Sequence, residues 1–420
     1  MPDLVISDAG LRWEPRFAAE AAAQLGAECE FIGSVVMCED RAQRALTRVW
    51  KDRVARMLSR RRLEFKPTRV RSLYYPDVLR LIAGRLRLPM VPVYLASNAL
   101  FDAHVSRLLR RPLKLYFGVQ EGSLWSLRRA RTLGARAILC AITPHPRYEA
   151  PILDSEAARL GLSAGERSGW AGRRIATRIE AEYDAADTIL CSSEYTRRTL
   201  VGAGVRADKT RAIPLAIDTE VFRPLRRNHH ENNGLRVLFV GSMTPRKGLQ
   251  YLLPAVKALR DGGRDVSLTL VGATGPFERL LRPDRSMYRH LGPVANHELP
   301  RVHAEHDVLV MPSLSEGFGL VAAEAMASGL PVIVSENVGC AVTDGVEGFV
   351  VPVADAGAIA QRLCVLHDHP ELRSQMGKAG RARQEAWSAA DYRRAVGELL
   401  RESLEVVSAR GAHHSLNLVP

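Results

Sequence analysis

A glycine-framed acidic segment is the part of this sequence best suited to chemistry. It reads Pro312-Ser-Leu-Ser-Glu-Gly-Phe-Gly-Leu-Val-Ala-Ala-Glu-Ala-Met-Ala-Ser-Gly-Leu-Pro331, and it follows an apolar run that predicts a strand. Gly317 and Gly319 leave backbone N–H groups exposed where the next helix begins, and a helix start attracts anions. Two carboxylates belong to the same segment: Glu316 lies in the loop, and Glu324 lies eight residues further on.

Glu324 interrupts a helix that is otherwise apolar and rich in alanine. A buried carboxylate without a partner is costly, so its presence needs an explanation. A ligand rich in hydroxyl groups is one explanation, because carboxylates hold ribose hydroxyls in dinucleotide-binding folds. A structural salt bridge is the other explanation that the sequence leaves open.

A second glycine-bearing loop reads Val240-Gly-Ser-Met-Thr-Pro-Arg-Lys-Gly248, directly after one predicted strand and directly before a helix. Gly241 permits close approach of the backbone to a ligand, and the helix start adds unpaired N–H groups. Arg246 and Lys247 at that position suit a phosphate or diphosphate. A solvated basic turn is the alternative.

The first segment resembles the E-x7-E signature of the family 4 retaining glycosyltransferases with the GT-B fold, in the form E-G-F-G-L-V-x-x-E-A-M-A-x-G-L-P. Gly241–Gly248 is similar to the phosphate loop of that family, and Asn337–Val350 is similar to its downstream glycine segment. Ser192–Pro224 resembles the end of its acceptor domain. The resemblance is dense over Glu180–Leu372 and thinner upstream.

The resemblance implies a role for each matching residue around the donor. Glu324 would hold the ribose hydroxyls of the donor nucleotide, and Glu316 would bind hydroxyls of the donor sugar. The remaining sugar and phosphate contacts would come from the backbone of Gly317, Phe318, Gly319 and Leu320.

The implied diphosphate site departs from the family pattern at one position. Lys247 would neutralise the diphosphate with help from Arg246, on the loop that begins at Gly241. Ser242, however, stands where many members carry an arginine after the glycine. Either Arg246 compensates for this change or the donor phosphates are bound more weakly.

The first half of the chain contributes one candidate from a different segment. Thr143-Pro-His-Pro-Arg-Tyr148 follows a predicted strand and resembles the acceptor-side histidine segment of a subgroup of the family. His145 would then hydrogen-bond the donor sugar or orient the acceptor. A histidine flanked by prolines in a surface turn is the alternative.

The elements that must position these residues are short apolar strands alternating with helices, the pattern of parallel sheets covered on both faces. The alternation stops at the polar stretch Phe222–Gly234 and then restarts. We therefore expect an α/β protein of two doubly wound, Rossmann-like domains that face a central cleft. The expected divisions are an acceptor-binding domain at 1–224, a linker at 225–234, a sugar-nucleotide-binding domain at 235–388, and a C-terminal helix with a frayed tail at 389–420 that packs back toward the first domain.

Length and charge limit where the protein acts. At 420 residues the chain suits two domains, and its apolar runs fall short of the ~20 residues that span a bilayer. The N-terminus has no pattern of a secretory signal, so a cytoplasmic location is expected.

The net charge is +13, and Arg41–Arg87 holds fifteen Lys or Arg against three acids. An anionic membrane surface and a solvated basic face both fit this stretch. Nucleic acid is disfavoured because no aromatic platform accompanies the charge.

These expectations combine into one reaction. A UDP-, GDP- or ADP-sugar would donate its sugar, with retention, to a hydroxyl of a glycan or a lipid-linked acceptor in cell-envelope or exopolysaccharide synthesis. The sequence has no D-x-D motif, so neither a metal ion nor a cofactor beyond the donor co-substrate is expected. The alternative is a catalytically weak sugar-nucleotide sensor or scaffold at the membrane surface, which the change at Ser242 keeps open.

Overall fold

The computed structural model describes residues 2–10, 13–34, 68–162, 170–225, 234–274 and 282–416. Within them, two fully parallel sheets form, one of seven strands and one of six. The central strands are continuous buried apolar runs, as expected for strands covered by helices on both faces. The strands are β1 Leu4–Asp8, β2 Cys29–Gly33, β3 Arg69–Ser72, β4 Leu115–Val119, β5 Arg136–Ala141, β6 Thr188–Cys191, β7 Thr210–Ala212, β8 Leu235–Val240, β9 Val266–Val271, β10 Arg289–Gly292, β11 Val308–Met311, β12 Val332–Ser335 and β13 Gly348–Val351.

The first sheet has the order β3-β2-β1-β4-β5-β6-β7. Leu4 of β1 pairs with Cys29 on one side and with Leu115 on the other, so β1 and β4 flank the point where the strand order reverses. Parallel sheets bind ligands beyond the carboxyl ends of such strands. The helices of this half are α1 Trp13–Gln24, α2 Tyr75–Arg85, α3 Met90–Leu108, α4 Leu124–Thr132, α5 Pro146–Arg159, α6 Trp170–Ala185 and α7 Glu194–Gly202.

The second sheet has the order β10-β9-β8-β11-β12-β13. Because β8 and β11 are neighbours, the loops at their carboxyl ends meet at one edge of the sheet. These are the two glycine-bearing loops that the sequence singles out. The helices of this half are α8 Leu249–Asp261, α9 Leu299–Ala304, α10 Leu320–Ala327, α11 Ala356–Asp368 and α12 Pro370–Glu385.

The last helix, α13 (Ala389–Leu416), leaves the second sheet and packs against α1. The rings of Phe17 and Tyr392 meet edge to face with centroids 5.2 Å apart, and Arg393 pairs with Glu20 at 3.0 Å. Trp387 donates a 2.9 Å hydrogen bond to the carbonyl of Pro214. The end of the described chain is therefore attached to the first domain.

The two doubly wound α/β units match the expected fold class. Each apolar run that predicts a strand has a counterpart in the structure; these runs are Leu4–Ser7, Glu30–Val36, Leu113–Gly118, Ala137–Ala141, Thr188–Ser192, Leu235–Gly241, Ser267–Gly272, Asp307–Met311 and Pro331–Ser335. The prediction did not include β3, β7, β10 and β13. Residues 41–67 of the basic stretch and 226–233 of the expected linker lie outside the described residues, as do positions 35 and 36 of the second predicted strand. Within the described ranges, no helix combines the length and hydropathy needed to cross a membrane.

Candidate active site

The two glycine-bearing loops are locked together by a close backbone contact. Gly248 has φ 74°, and a Cβ at this position would lie 1.8 Å from the carbonyl oxygen of Pro312. The amide of Leu314 donates to the carbonyl of Arg246 at 2.8 Å. Only glycine permits this approach, and the contact holds the basic loop against the acidic one.

An ion cluster forms where the loops meet. The Lys247 ammonium bonds Oε2 of Glu316, and Nη1 of Arg246 lies 3.1 Å from the same oxygen. Arg246 also donates to the carbonyl of Ser315 at 2.9 Å. The Lys247 and Glu316 side chains are only 13% and 16% exposed. Burial lowers the pKa of Lys247, and the adjacent Glu316 carboxylate opposes that shift. The structure thus brings three of the predicted residues together: the Glu316 carboxylate pairs with both Lys247 and Arg246.

The start of α10 lies beside this cluster. Gly319 precedes the helix with φ 92°, and a Cβ there would lie 2.7 Å from Cγ1 of Val338. Phe318 is buried beneath the turn. A cavity of about 370 Å³ opens here and is lined by Lys247, Glu316, Phe318, Gly319 and Leu320 from the second domain, and by Glu14, Ile142 and Ser192 from the first. Since the first N–H groups of a helix have no partner within it, an anion in this cavity would face Lys247 and unpaired backbone donors. Arg246 is not part of the lining and reaches the site through Glu316.

Glu324 lies within α10 and is 8% exposed. Among the described residues, its carboxylate has neither a hydrogen-bond donor nor a cation as partner, so the structural salt bridge considered above is not found there. Burial alone raises the pKa of Glu324 to about 7. Glu324 is not among the residues that line the cavity, so its contact with a ligand stays a prediction.

Gly317 holds the acidic loop against the first domain. A Cβ on Gly317 would lie 2.0 Å from the carbonyl oxygen of Ile142, at the end of β5. The carbonyl of Gly317 accepts hydrogen bonds from Ser193 and, at 3.0 Å, from Thr196, both at the start of α7. The candidate site therefore lies where the two domains touch.

Gly241 and Ser242 lie on the same loop but do not line the cavity. The amide of Gly241 donates to Val271 at 2.9 Å, and a Cβ on Gly272 would lie 2.0 Å from the carbonyl oxygen of Gly241. Ser242 is exposed. This part of the loop is packed against the end of β9, and Gly241 also lies against the Lys247 side chain, since a Cβ on Gly241 would lie 3.7 Å from Cε of Lys247.

His145 is buried and caps the start of α5. Its Nδ1 accepts a 3.1 Å hydrogen bond from the amide of Arg147, and its ring centroid lies 5.4 Å from that of Tyr183. Burial lowers the pKa of His145, in keeping with a neutral ring that accepts at Nδ1. The structure does not place it among the residues that line the cavity, so its contribution to a reaction stays a prediction.

Glu149, in the first turn of α5, is a site residue that the sequence did not reveal. Burial raises its pKa, while the charge of Arg246 and a hydrogen bond with Ser315 act in the opposite direction. Those contacts place Glu149 beside the ion cluster, although it belongs to the other domain. The residues around Glu149 in the sequence do not indicate a site, because its proximity to the ion cluster depends on how the two domains meet.

In the part of the chain that the structure covers, no group of three or more His, Cys, Asp or Glu side chains is placed to hold a metal ion.

Two family models match the chain in succession. Residues 19–221 match "Glycosyltransferase Family 4", and residues 234–369 match "Glycosyl transferases group 1". The two matches fall on the first and the second sheet, so each half of the molecule has its own counterpart.

Curated relatives agree with these matches. A GDP-mannose-dependent alpha-(1-6)-phosphatidylinositol monomannoside mannosyltransferase of Mycobacterium tuberculosis is 29% identical over an alignment of 283 residues that covers 62% of this chain and 71% of the relative. A D-inositol 3-phosphate glycosyltransferase of Frankia alni is 34% identical over an alignment of 254 residues that covers 54% of this chain and 62% of the relative.

Solved structures show the same fold. Anabaena HepE in complex with UDP is 15% identical with a TM-score of 0.61, over 95% of this chain and all of that one. Sucrose-phosphate synthase from Thermosynechococcus elongatus is 20% identical with a TM-score of 0.63, over 97% of this chain and all of that one.

Proposed function

Because the chain belongs to the family 4 glycosyltransferases of the GT-B fold, we propose that it moves a sugar, with retention, from a nucleoside diphosphate sugar to an acceptor hydroxyl. The observation that carries this proposal is the pairing of Lys247 and Arg246 with Glu316 beside the start of α10. A cavity that is lined by Lys247 and by a helix start, with Arg246 paired to the adjacent Glu316, suits a diphosphate.

The ion cluster suggests how the donor would enter. The diphosphate would take over Lys247 and Arg246, and Glu316 would be released to accept hydrogen bonds from the sugar hydroxyls. The backbone of Gly317, Phe318, Gly319 and Leu320 would complete these contacts. Gly241, which lies against the Lys247 side chain, and Ser242 would lie alongside the phosphates.

Glu324 would accept hydrogen bonds from the ribose hydroxyls of the donor. Its support is the buried carboxylate without a partner among the described residues, which a bound ribose would satisfy. In the free protein, burial of the unpartnered Glu324 carboxylate costs desolvation free energy. Hydrogen bonds from a bound ribose would offset that cost.

The proposed chemistry is positioning and charge stabilisation. The acceptor oxygen forms a bond to the anomeric carbon as the bond from that carbon to the diphosphate breaks, and the acceptor proton passes to a diphosphate oxygen on the same face. Lys247, Arg246 and the start of α10 would stabilise the charge on the leaving diphosphate. We propose that these groups suffice without a metal ion and without a cofactor other than the donor.

The identities of donor and acceptor are drawn from the relatives. GDP-mannose is the donor named for the mycobacterial relative, and UDP is bound in HepE, so GDP- and UDP-sugars are the leading candidates. ADP-sugars are the third candidate, on the family resemblance alone. The mycobacterial relative is named for a phosphatidylinositol mannoside, which favours a lipid-linked or glycan acceptor in cell-envelope or exopolysaccharide synthesis. We place the enzyme in the cytoplasm, at the inner face of the membrane, with no nucleic acid partner.

A transfer assay tests this proposal. The purified protein, a panel of the three donor classes and a membrane extract as acceptor should yield a glycosylated product with the anomeric configuration of the donor, read by NMR. Excess EDTA should leave the rate unchanged. An inverted product would refute the retaining reaction, and loss of activity with EDTA that added metal restores would refute metal independence. Donor binding without any transfer would favour the sensor.

A further inference from the structure

A hairpin of two helices in the first domain exposes an unusual amount of apolar surface. Of the sixteen large apolar side chains that are exposed in the described residues, ten lie between positions 74 and 100 on α2, α3 and their turn. They are Tyr74, Val78, Leu79, Leu81, Ile82, Leu86, Leu88, Val91, Tyr94 and Leu100. Monomeric soluble proteins rarely expose a contiguous apolar surface of this kind without a partner for it.

The packing of the hairpin explains which side is open. The second half of α3 is buried through Phe101 and Val105 against the rest of the domain. Helix α2 packs on α3, and the buried residues of α2 are Pro76, Asp77 and Ala83. The opposite face of α2 and the turn that joins the helices point away from the core, and Leu86 in that turn is 63% exposed.

The exposed charges of the hairpin are of one sign, because its two acidic residues, Asp77 of α2 and Asp102 of α3, are buried. From Val78 to Phe101 the sequence contains no Asp or Glu, and its charged side chains are Arg80, Arg85 and Arg87. Arg85 and Arg87 are exposed and alternate with Leu86 and Leu88 at the tip. A helix that faces water normally carries charges of both signs, whereas apolar side chains interleaved with arginine suit the boundary between anionic headgroups and acyl chains.

The hairpin is also tied to the cleft. Arg80 donates to the carbonyl of Ala9 at 3.1 Å, in the loop after β1, and to Oδ1 of Asn98 at 2.6 Å. A cavity of about 220 Å³ lies at this junction, and its lining includes Tyr94 of α3 and Glu121 after β4. A surface seated on the hairpin would therefore lie next to the carboxyl ends of β1 and β4.

We infer that the α2–α3 hairpin is the membrane-docking surface of the protein, and that its occupant is the headgroup region of an anionic bilayer. The apolar side chains of α2 and the turn enter the interface, while Arg85 and Arg87 contact lipid phosphates. An acceptor anchored in that bilayer would then reach the cleft from the side of the hairpin. This inference sharpens the membrane location proposed above, and it can be tested without donor or acceptor, so its failure is separable from failure of the transfer reaction.

The test is flotation of the full-length protein with liposomes of phosphatidylcholine alone and of phosphatidylcholine with phosphatidylglycerol. The wild type should float with the anionic liposomes. The double variant Leu86→Glu/Leu88→Glu should lose this binding, and Arg85→Gln/Arg87→Gln should weaken it by about tenfold or more, since each charge near an anionic surface contributes appreciably. Val346→Glu is the matched control, because Val346 is similarly exposed but lies in the second domain.

Other occupants of the hairpin give other results. If residues 35–67 of the chain cover it, Leu86→Glu/Leu88→Glu lowers the melting temperature and wild type does not float. If a second copy covers it, the wild type is a dimer by light scattering, the variant is a monomer, and again neither floats. Either pattern would overturn the inference, as would equal flotation of the wild type and the double variant.

Discussion

At the scale of single residues, the candidate site contains ionisable groups whose charged forms are destabilised by burial. Burial lowers the pKa of Lys247 and raises that of Glu324 to about 7. Lys247 has Glu316 beside it, whereas Glu324 has no comparable partner in the described structure. Ionisable groups with shifted pKa values concentrate where proteins bind ligands, because a bound ligand can supply the hydrogen bond or opposite charge that the fold does not provide.

Glu324 should make the free protein less stable at alkaline pH. Its pKa is raised from the ordinary 4.5 to about 7 in the folded state, so the folded state holds the proton more tightly. This group's contribution to the free energy of unfolding is then greatest below pH 4.5 and falls as pH rises through 7. At pH 8, Glu324→Gln should raise the free energy of unfolding by about 2 to 3 kcal/mol, and near pH 4.5 it should change little.

Urea unfolding at the two pH values measures this difference. Glu336→Gln is the control, because Glu336 is exposed and its neutralisation should have little effect at either pH. Equal stability of wild type and Glu324→Gln at pH 8 would show that the carboxylate has a favourable partner, and the case for a ribose contact would then lose its physical basis.

At the scale of elements, the contact between the β8–α8 loop and the β11–α10 loop positions the site. Gly248→Ala should destabilise the fold by about 2 to 4 kcal/mol, because the added methyl meets the Pro312 carbonyl and the backbone is left-handed. It should also abolish donor binding at temperatures where the variant is folded, since the neighbouring Lys247 is displaced from the cavity that would hold the diphosphate. Thermal unfolding and donor titration give the two readouts.

Gly263→Ala separates the effect of left-handed backbone strain from that of a steric clash with the Pro312 carbonyl. Gly263 also has positive φ, at 79°, but no atom lies within 4 Å of a Cβ there. This control should lose only about 1 kcal/mol and keep full donor binding. Similar losses of stability in the two variants would mean that the loops are not locked by the Pro312 contact.

The elements were predictable where burial dictates the sequence. Strands such as β4 and β8 are buried on both faces and therefore read as apolar runs. The edge strand β3 has alternating exposure, and β7 has only three residues, so neither leaves an apolar run to recognise. Helix α10 was predictable with its carboxylate, because the glycines before it and the alanines within it belong to one continuous motif.

At the scale of the whole molecule, the site depends on how the domains meet, and this is the part that the sequence could not supply. The loop contacts of Gly317 with Ile142, and of Glu149 with the ion cluster, join positions far apart in the chain. The sequence identified Ser193 only as part of a motif, without its hydrogen bond to the carbonyl of Gly317. Periodicity and local motifs predicted that the two domains face a cleft, but they carry no information on which residues meet across it.

A second contact between the domains should control closure of the cleft. Glu156 on α5 accepts hydrogen bonds from Gln250 at 2.8 Å and from the hydroxyl of Tyr251 at 2.7 Å, both on α8. Glu156→Ala should open the cleft, seen as a larger radius of gyration in X-ray scattering, and donor should reverse part of the change. Glu180→Ala is the control, since Glu180 pairs with Arg147 inside the first domain. An unchanged radius for Glu156→Ala would show that this contact does not hold the domains together.

The most direct test of the central claim is calorimetric titration of the wild type, Lys247→Ala and Glu324→Gln with UDP-, GDP- and ADP-sugars. We predict that one donor class binds the wild type at a single site. Both variants should bind that donor at least about tenfold more weakly, as expected when a charged hydrogen bond is lost. Glu336→Gln should bind it as the wild type does. Undiminished affinity in Lys247→Ala and Glu324→Gln, or no binding of any donor by the wild type, would contradict the assignment of the donor site to this cavity.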